Sequence, residues 1–545
     1  MTAATDRQDE TQAHIREIAA AALSDLDRAN SIASLALSKG LRHPAFHSTR
    51  ALWFQRQNRH AEAVAEFEQA VAIAPRDVNL LTALGASLVR LNRLSEGIAA
   101  FDAAIAVAPA RSQTYYNKGC ALAAVGEQGA ALRCYERTIA LQPNHADALS
   151  TLAATAARNG ETKKARAFAD RALRARPGDP TAVIALAMSD LHAREFARAE
   201  QRLDAFLAEM RAKDQTRALA LGLLGDALDG QDRTAAAFEA YSEKNRILRG
   251  LHKVRFGGTA RPLNFVERLT GYVEQAAPGR WNKARSSSAL PRSQQHVFLL
   301  GFMRSGTTLL EQVLASHPDV EDLEERETLR ELSAVYLGSA AGLKELSSLS
   351  EPLLDRARDN YWQRVRAFGA KPEGKIFVDK QPFNTLNLFL IARLFPDAKI
   401  VFAVRDPRDV VLSCFRRHLE VKPTTFEMLT LTDAARFYDR VMHLAEIYRS
   451  TLPLDLLECR YEHLVSDFES CVRSTCAFIG MNWNEAMRDF DRSTRERVVR
   501  SPSAHQVRLG LYSQAIGQWR RYEKELSPII PFLQPWIERF GYPLH

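Results

Sequence analysis

FLLGFMRSGTTLLEQVLASHP, residues 298 to 318, decides how the second half of this chain folds. VFLL reads as a short buried strand, GFMRSG as a turn, and TTLLEQVLASH as a helix with Leu309, Leu310, Val313 and Leu314 on one side. Strand, glycine-bearing turn and helix, in that order, set backbone N–H groups and the positive end of a helix in front of an anion. The stretch fits GxxxxGK[ST] except that Thr307 stands where a lysine would reach the β- and γ-phosphates of a nucleoside triphosphate. Arg304 brings a cation into the loop instead, and its planar fork can grip the oxygens of one phosphate group. A single 5′-phosphate suits such a loop better than a chain of three. An NTPase would also need an aspartate-ended strand for Mg²⁺; IFVD, ending at Asp379, is the nearest, and the adjoining Lys380 speaks against it.

The same logic returns about 95 residues later in AKIVFAVRDPRDVVLSCFRRHLE. KIVFAV is β-branched and apolar, Asp406 can cap the next helix, and Pro407 suits its first position. Arg405 then emerges at the carboxyl end of a strand, where open α/β sheets bind ligands. Ser413 and Arg417 follow on the new helix, one turn apart, so both can face one point. Three donors around one point suit a second phosphate. Arg408 and Arg416 read as surface or ion-paired arginines, with Asp409 or Glu420 as partners.

Outward from these motifs, the chain of 545 residues is too long for one core. Its 46% apolar and 25% charged residues are ordinary for a globular protein. A polar amino terminus and the lack of a long uncharged apolar run give the expectation of a cytoplasmic protein without a transmembrane segment. Six cysteines without a CxxC pair fit neither a disulfide framework nor a zinc site, and read as reduced and packed. The net charge of +8 favours anionic ligands, but no basic block interleaved with aromatics points to nucleic acid.

The first half repeats. Prolines 75, 109, 143 and 177 lie 34 residues apart, each closing a stretch such as AEFEQAVAIAP. Counting back, small residues recur in the first helix (Ala51, Gly85, Gly119, Ala153) and in the second (Ala63, Gly97, Ala131, Ala165). Ile15 to Pro44 reads as an irregular first repeat, Ala187 with Ala199 as another, and Gly225 with Ala237 and Tyr241 as the last. Phe67, Phe101 and Tyr135 read as packing between repeats. The expected division is a repeat region over 10–250, a helical and basic linker over 251–295 containing LNFVERLTGYVEQ and GRWNKARSSSALPRSQQ, and an α/β domain over 296–545.

The 34-residue register resembles the tetratricopeptide family, which implies an all-α superhelix with a concave surface suited to peptide segments. FMRSGTTLLEQVLASHP resembles the 5′-phosphosulfate loop of sulfotransferases that use 3′-phosphoadenosine 5′-phosphosulfate (PAPS), above all the tyrosylprotein branch and bacterial proteins joining such repeats to such a domain. The resemblance implies a P-loop-like α/β domain with a parallel central sheet. It implies that Arg304, Ser305, Gly306, Thr307 and Thr308 hold the 5′-phosphosulfate, and that Arg405 and Ser413, with Arg417 less generally, hold the 3′-phosphate. It gives Lys380, in DKQPF, contact with the bridging oxygen as the sulfuryl group leaves, and 3′-phosphoadenosine 5′-phosphate as product, with no metal required.

The small-molecule branch places its histidine base where this chain has Pro382, so that base is absent. The tyrosylprotein branch uses a glutamate after the loop helix, which maps to Glu325, with Glu324 second; Glu321 and Glu327 crowd the same stretch. Where the animal enzymes carry an arginine two residues after that glutamate, this chain has Glu327. His317 reads as a stop or packing residue. Tyr461 in RYE, and Tyr512, Ser513 and Trp519 in the closing segment, are nucleotide-contact candidates. The implied acceptor is a tyrosine in a protein or peptide, held by the repeats; a carbohydrate or small-molecule hydroxyl, or a non-catalytic scaffold that merely recognises nucleotide, are the alternatives. The sequence leaves the oligomeric state open, including the dimer of the animal enzymes.

Overall fold

The computed structural model describes residues 2–210, 213–258, 261–275, 293–491, 511 and 513–544. The basic stretch expected at 279–292 and Tyr512 lie outside them, as does the side chain of Ser513. The chain divides into two compact units, Met1–Ala193 and Arg194–His545.

The first unit is all helix. Paired helices such as Val78–Arg90 with Leu94–Val107, and Ser112–Ala124 with Gln128–Leu141, follow the 34-residue register and end just before its prolines. Asp77 caps one first helix by accepting the N–H groups of Asn79 and Leu80, and Asp179 caps another through Ala182. The small residues sit under rings: a Cβ on Gly85 would come within 2.7 Å of Phe101, and one on Gly119 within 2.6 Å of Tyr135. Phe67, Phe101 and Tyr135 are all buried. The ring needs the missing Cβ, because a packed interior has no spare room for a methyl group. Cys120, expected to be packed, is exposed.

In the second unit, the repeat helices Phe196–Glu209, Gln215–Asp229 and Thr234–Phe256 precede the amphipathic helix Pro262–Gln275. The apolar stripe of the latter, Val266, Leu269 and Val273, joins the same core as Phe298 and Phe402. Among the described residues, five strands follow: β1 (Gln295–Gly301), β2 (Val320–Asp322), β3 (Ile376–Lys380), β4 (Lys399–Val404) and β5 (Asp455–Arg460). They form one parallel sheet in the order β2–β3–β1–β4–β5. Alternate residues feed two cores. Phe298, Leu300 and Phe402 face one, and Val297, Leu299, Val378 and Val401 face the other. Sheets covered on both faces need such continuous apolar strands. The chain leaves β1 towards β2 and β3 on one side, and reaches β4 and β5 on the other. The carboxyl ends of β1 and β4 therefore flank the crevice where a doubly wound sheet takes its ligand.

Candidate functional site

The loop after β1 is tightly bent. Gly301 and Gly306 have φ of 150° and 96°, and Arg304 itself lies in the left-handed region at 70°. A Cβ on Gly301 would lie 2.5 Å from the Ala403 carbonyl of β4, so only glycine lets the two strand ends close up. The loop helix Thr307–Ala315 starts directly after Gly306 and is buried along its whole length. Ser305, Thr307 and Thr308 are buried at its amino end. Tyr461, which follows β5, packs over Gly306.

The two anion motifs meet. Arg304 Nε donates to Ser413 Oγ at 3.1 Å, across more than 100 residues of sequence. Arg405 Nη1 donates to the Arg304 carbonyl at 3.1 Å, Nη2 to the Ala515 carbonyl at 2.5 Å, and its guanidinium lies 4.9 Å from the Tyr461 ring centre. Arg405 is buried, and its Nε has no hydrogen-bond partner among the described residues. Burial, then repulsion from Arg417 and Arg405, lowers the Arg304 pKa to about 9, which still leaves it charged at neutral pH. Asp409 lies 3.8 Å from Arg405 but is committed elsewhere, accepting the N–H groups of Gly517 and Trp519. Two arginines brought together at the amino end of a helix make a site for an anion. These donors suit phosphate oxygens.

A cavity of about 620 Å³ opens here, lined among others by Arg304, Gly306, Thr307, Thr308, Arg405 and Tyr461, and by Glu324, Glu325, Gln381 and Pro382. That volume suits a ligand of nucleotide size. Ser305, Ser413 and Arg417 do not line it. Trp519 does not either: it is buried beneath Arg408, whose guanidinium sits 3.6 Å from the indole.

Of the crowded glutamates, Glu325 is the one that engages Lys380: Nζ donates to its Oε1 at 2.8 Å. Glu324 lines the same cavity with a left-handed backbone, at φ 53°. Glu321 accepts from the Lys371 N–H, and Glu327 pairs with Arg330. The segment is fixed against β3 by Thr328, whose hydroxyl donates to Asp379 at 2.7 Å. Asp379 also accepts from Tyr361 at 2.7 Å, and burial lifts its pKa to about 6. It is a buried anchor at the end of β3. His317 Nδ1 accepts the Asp319 N–H at 3.1 Å, within the turn after the loop helix.

Lys380 is wholly buried and does not line the cavity. Behind it, Glu311 Oε2 lies 3.1 Å from Nζ, without well-directed hydrogen-bond geometry. Burial opposes charge on Lys380, but the pull of Glu311, once it is ionised, and of Glu325 outweighs it and raises its pKa. Burial pushes the Glu311 carboxyl up to about 8, against the pull of Lys380. Sequence reasoning missed Glu311. Its signal was an acidic residue in a helix too short and too enclosed to have a solvent face.

Two readings are corrected. Arg408 is not a surface residue. It is fully buried and forked onto Asp406, with bonds of 3.0 and 2.8 Å, and it also donates to the carbonyls of Pro543 and Leu544. Arg416 pairs with Asp229 rather than with Asp409 or Glu420.

Residues 296–485 match the family model described as Sulfotransferase family, and residues 49–114 and 116–180 match that of the tetratricopeptide repeat. The two matches lie on separate parts of the chain, the repeats first and the sulfotransferase match after them. It is similar to an uncharacterised protein of Aquifex aeolicus, 27% identical over 360 residues, which cover 63% of this chain and 45% of that protein. It is also similar to protein-tyrosine sulfotransferase 1 of Danio rerio, 25% identical over 262 residues, covering 46% of this chain and 72% of that one. Protein-tyrosine sulfotransferase 2 of Gallus gallus is 24% identical over 265 residues, covering 45% and 69%. The chain thus spans less than half the length of the Aquifex relative. Among the described residues, no helix is long and apolar enough to cross a membrane.

Proposed function

We propose that this chain is a PAPS-dependent sulfotransferase whose acceptor is the hydroxyl of a tyrosine in a protein or peptide. The observation that carries the reading is that Arg304, Arg405 and Glu325 line one cavity. PAPS, when bound, supplies a sulfuryl group already activated on a phosphate. Arg304 and the N–H groups opening the loop helix bind its 5′ end. Arg405 binds its 3′-phosphate, the group that separates it from ATP, and Ser413 and Arg417 join it by turning towards the cavity that they do not line; Tyr461 is a further contact.

Glu325 accepts the proton of the acceptor hydroxyl, with Glu324 as the second choice. It is partly exposed to the cavity and oriented by Lys380, as a general base should be. In the arrangement described, Lys380 acts through Glu325. The direct contact with the departing oxygen that the resemblance implies needs Nζ to turn from Glu325 towards the cavity. The tyrosine acceptor is supported by similarity to protein-tyrosine sulfotransferases and by a glutamate in the position of the base. Repeats of the tetratricopeptide kind, with their peptide-binding habit, suit a protein partner.

Incubation with ³⁵S-labelled PAPS and either tyrosine peptides or saccharides tests the reading. Label on the peptide is expected. Glu325→Gln should bind 3′-phosphoadenosine 5′-phosphate as the wild type does and lose transfer by about 10²-fold or more. Tight binding of ATP with none of 3′-phosphoadenosine compounds would overturn the donor, and label on saccharide alone would overturn the acceptor.

A further inference from the structure

Every helix leaves its last carbonyls without partners in the helix itself. For the helix Pro407–Arg416, a residue remote in sequence takes them. Lys244, on the last repeat helix Thr234–Phe256, is wholly buried, and its Nζ donates to the carbonyls of Phe415, Arg416 and Arg417 at 3.0, 2.8 and 3.0 Å. Asn245 Nδ2 donates to the same Phe415 carbonyl at 3.0 Å. Burial lowers the Lys244 pKa to about 7, and in its charged form the amine can engage all three carbonyls at the negative end of the helix and fix where that end lies.

The neighbouring repeat helix leaves room for it: a Cβ on Gly222 would lie 3.2 Å from Lys244 Cδ. Alongside, Asp229 pairs with Arg416 and accepts from Tyr522 at 2.6 Å, and Phe238 stacks on Phe415 at 5.2 Å. An apolar residue would fill the space under Phe415 without the cost of burying an amine, but it would leave the carbonyls of Phe415, Arg416 and Arg417 without these bonds. The amine is therefore placed for what it holds. What it holds is the end of the helix bearing Ser413, and the backbone from which Arg417 projects.

We propose that Lys244 is a positioning residue of the donor site: from the last tetratricopeptide helix, it sets the helix end that presents Ser413 and Arg417 to the 3′-phosphate. This rests on the reading of Ser413 and Arg417 given above. It makes the last repeat a working part of donor recognition, and a partner that moves that repeat changes donor affinity.

Calorimetric titration of the full chain with 3′-phosphoadenosine 5′-phosphate, and with adenosine 5′-phosphate lacking the 3′-phosphate, tests this. Wild type is expected to prefer the first by at least about ten-fold. Lys244→Met should weaken the first by about ten-fold or more, the scale of losing hydrogen bonds from a charged group, while affinity for the second stays within about two-fold. Asn245→Ala should shift the ratio the same way by less, and it carries the test if Lys244→Met does not fold. Equal weakening of both nucleotides, or an unchanged ratio, overturns the role of Lys244. A wild type without preference overturns the 3′-phosphate reading itself, and the role of Lys244 with it.

Discussion

Replacing Glu311 with glutamine should change how the stability of the second unit depends on pH. The folded protein holds this carboxyl at a pKa of about 8, against an ordinary value of 4.5, because it is buried. In the unfolded chain it ionises near 4.5, so between about 4.5 and about 8 the folded state keeps a proton that the unfolded state has lost. Stability falls as pH rises through that window, and the whole penalty is present above it. The penalty near pH 9 is on the order of a few kcal/mol, reduced by the attraction of Lys380 for the charged form. Glutamine keeps the shape and cannot ionise, while Lys380 retains Glu325. Urea unfolding followed by tryptophan fluorescence should find wild type and Glu311→Gln close together near pH 5, with the variant gaining steadily towards pH 9. Other buried carboxyls, Asp379 and Asp409 among them, are common to both proteins and cancel in the difference. A gap that does not change with pH would refute the assignment of a buried proton to Glu311.

Millimolar sulfate or phosphate should raise the thermal midpoint of the wild type, by binding to folded protein alone, and Arg405→Ala should abolish most of that rise; equal stabilisation of both would remove the arginine site. Arg408→Ala leaves Asp406 buried without its fork, and should cost about 3–5 kcal/mol in chemical denaturation. Gly225→Ala sets a methyl group 2.4 Å from the Tyr241 ring, for a loss of about 1–3 kcal/mol that Tyr241→Leu should partly relieve.

Much of this architecture was legible because it rests on spacing. Prolines 34 residues apart gave the helix pairs, and the order of strand, turn and helix around Arg304 and Arg405 gave the carboxyl edge of a parallel sheet. Charge partners were harder. Arg408 and Arg416 read as surface or ion-paired residues; both are ion-paired, but with Asp406 and Asp229 instead of Asp409 or Glu420, because a helical wheel shows which way a side chain leaves, not what another segment has placed there. Lys244 and Asn245 interrupt an otherwise apolar stripe with Tyr241 and Leu248, a signal visible in the sequence; their partners lie 170 residues onward and only the fold brings them near. The short strand β2 sits in VEDLEE, where acidic residues hide the extended backbone.

The glycine and ring pairs of the repeats also bear on how such an array can evolve. Gly85 with Phe101, Gly119 with Tyr135 and Gly225 with Tyr241 each stand sixteen residues apart, whereas Ala153 faces Ala169 at the same interval. A repeat built on glycine and a ring is best moved whole, since a Cβ set against Tyr135 or Tyr241 as they lie collides, although Ala51 with Phe67 packs an alanine and a ring at the same interval. Drift at these positions is therefore expected to be concerted, and a grafted chimera should be cut between repeats rather than within one.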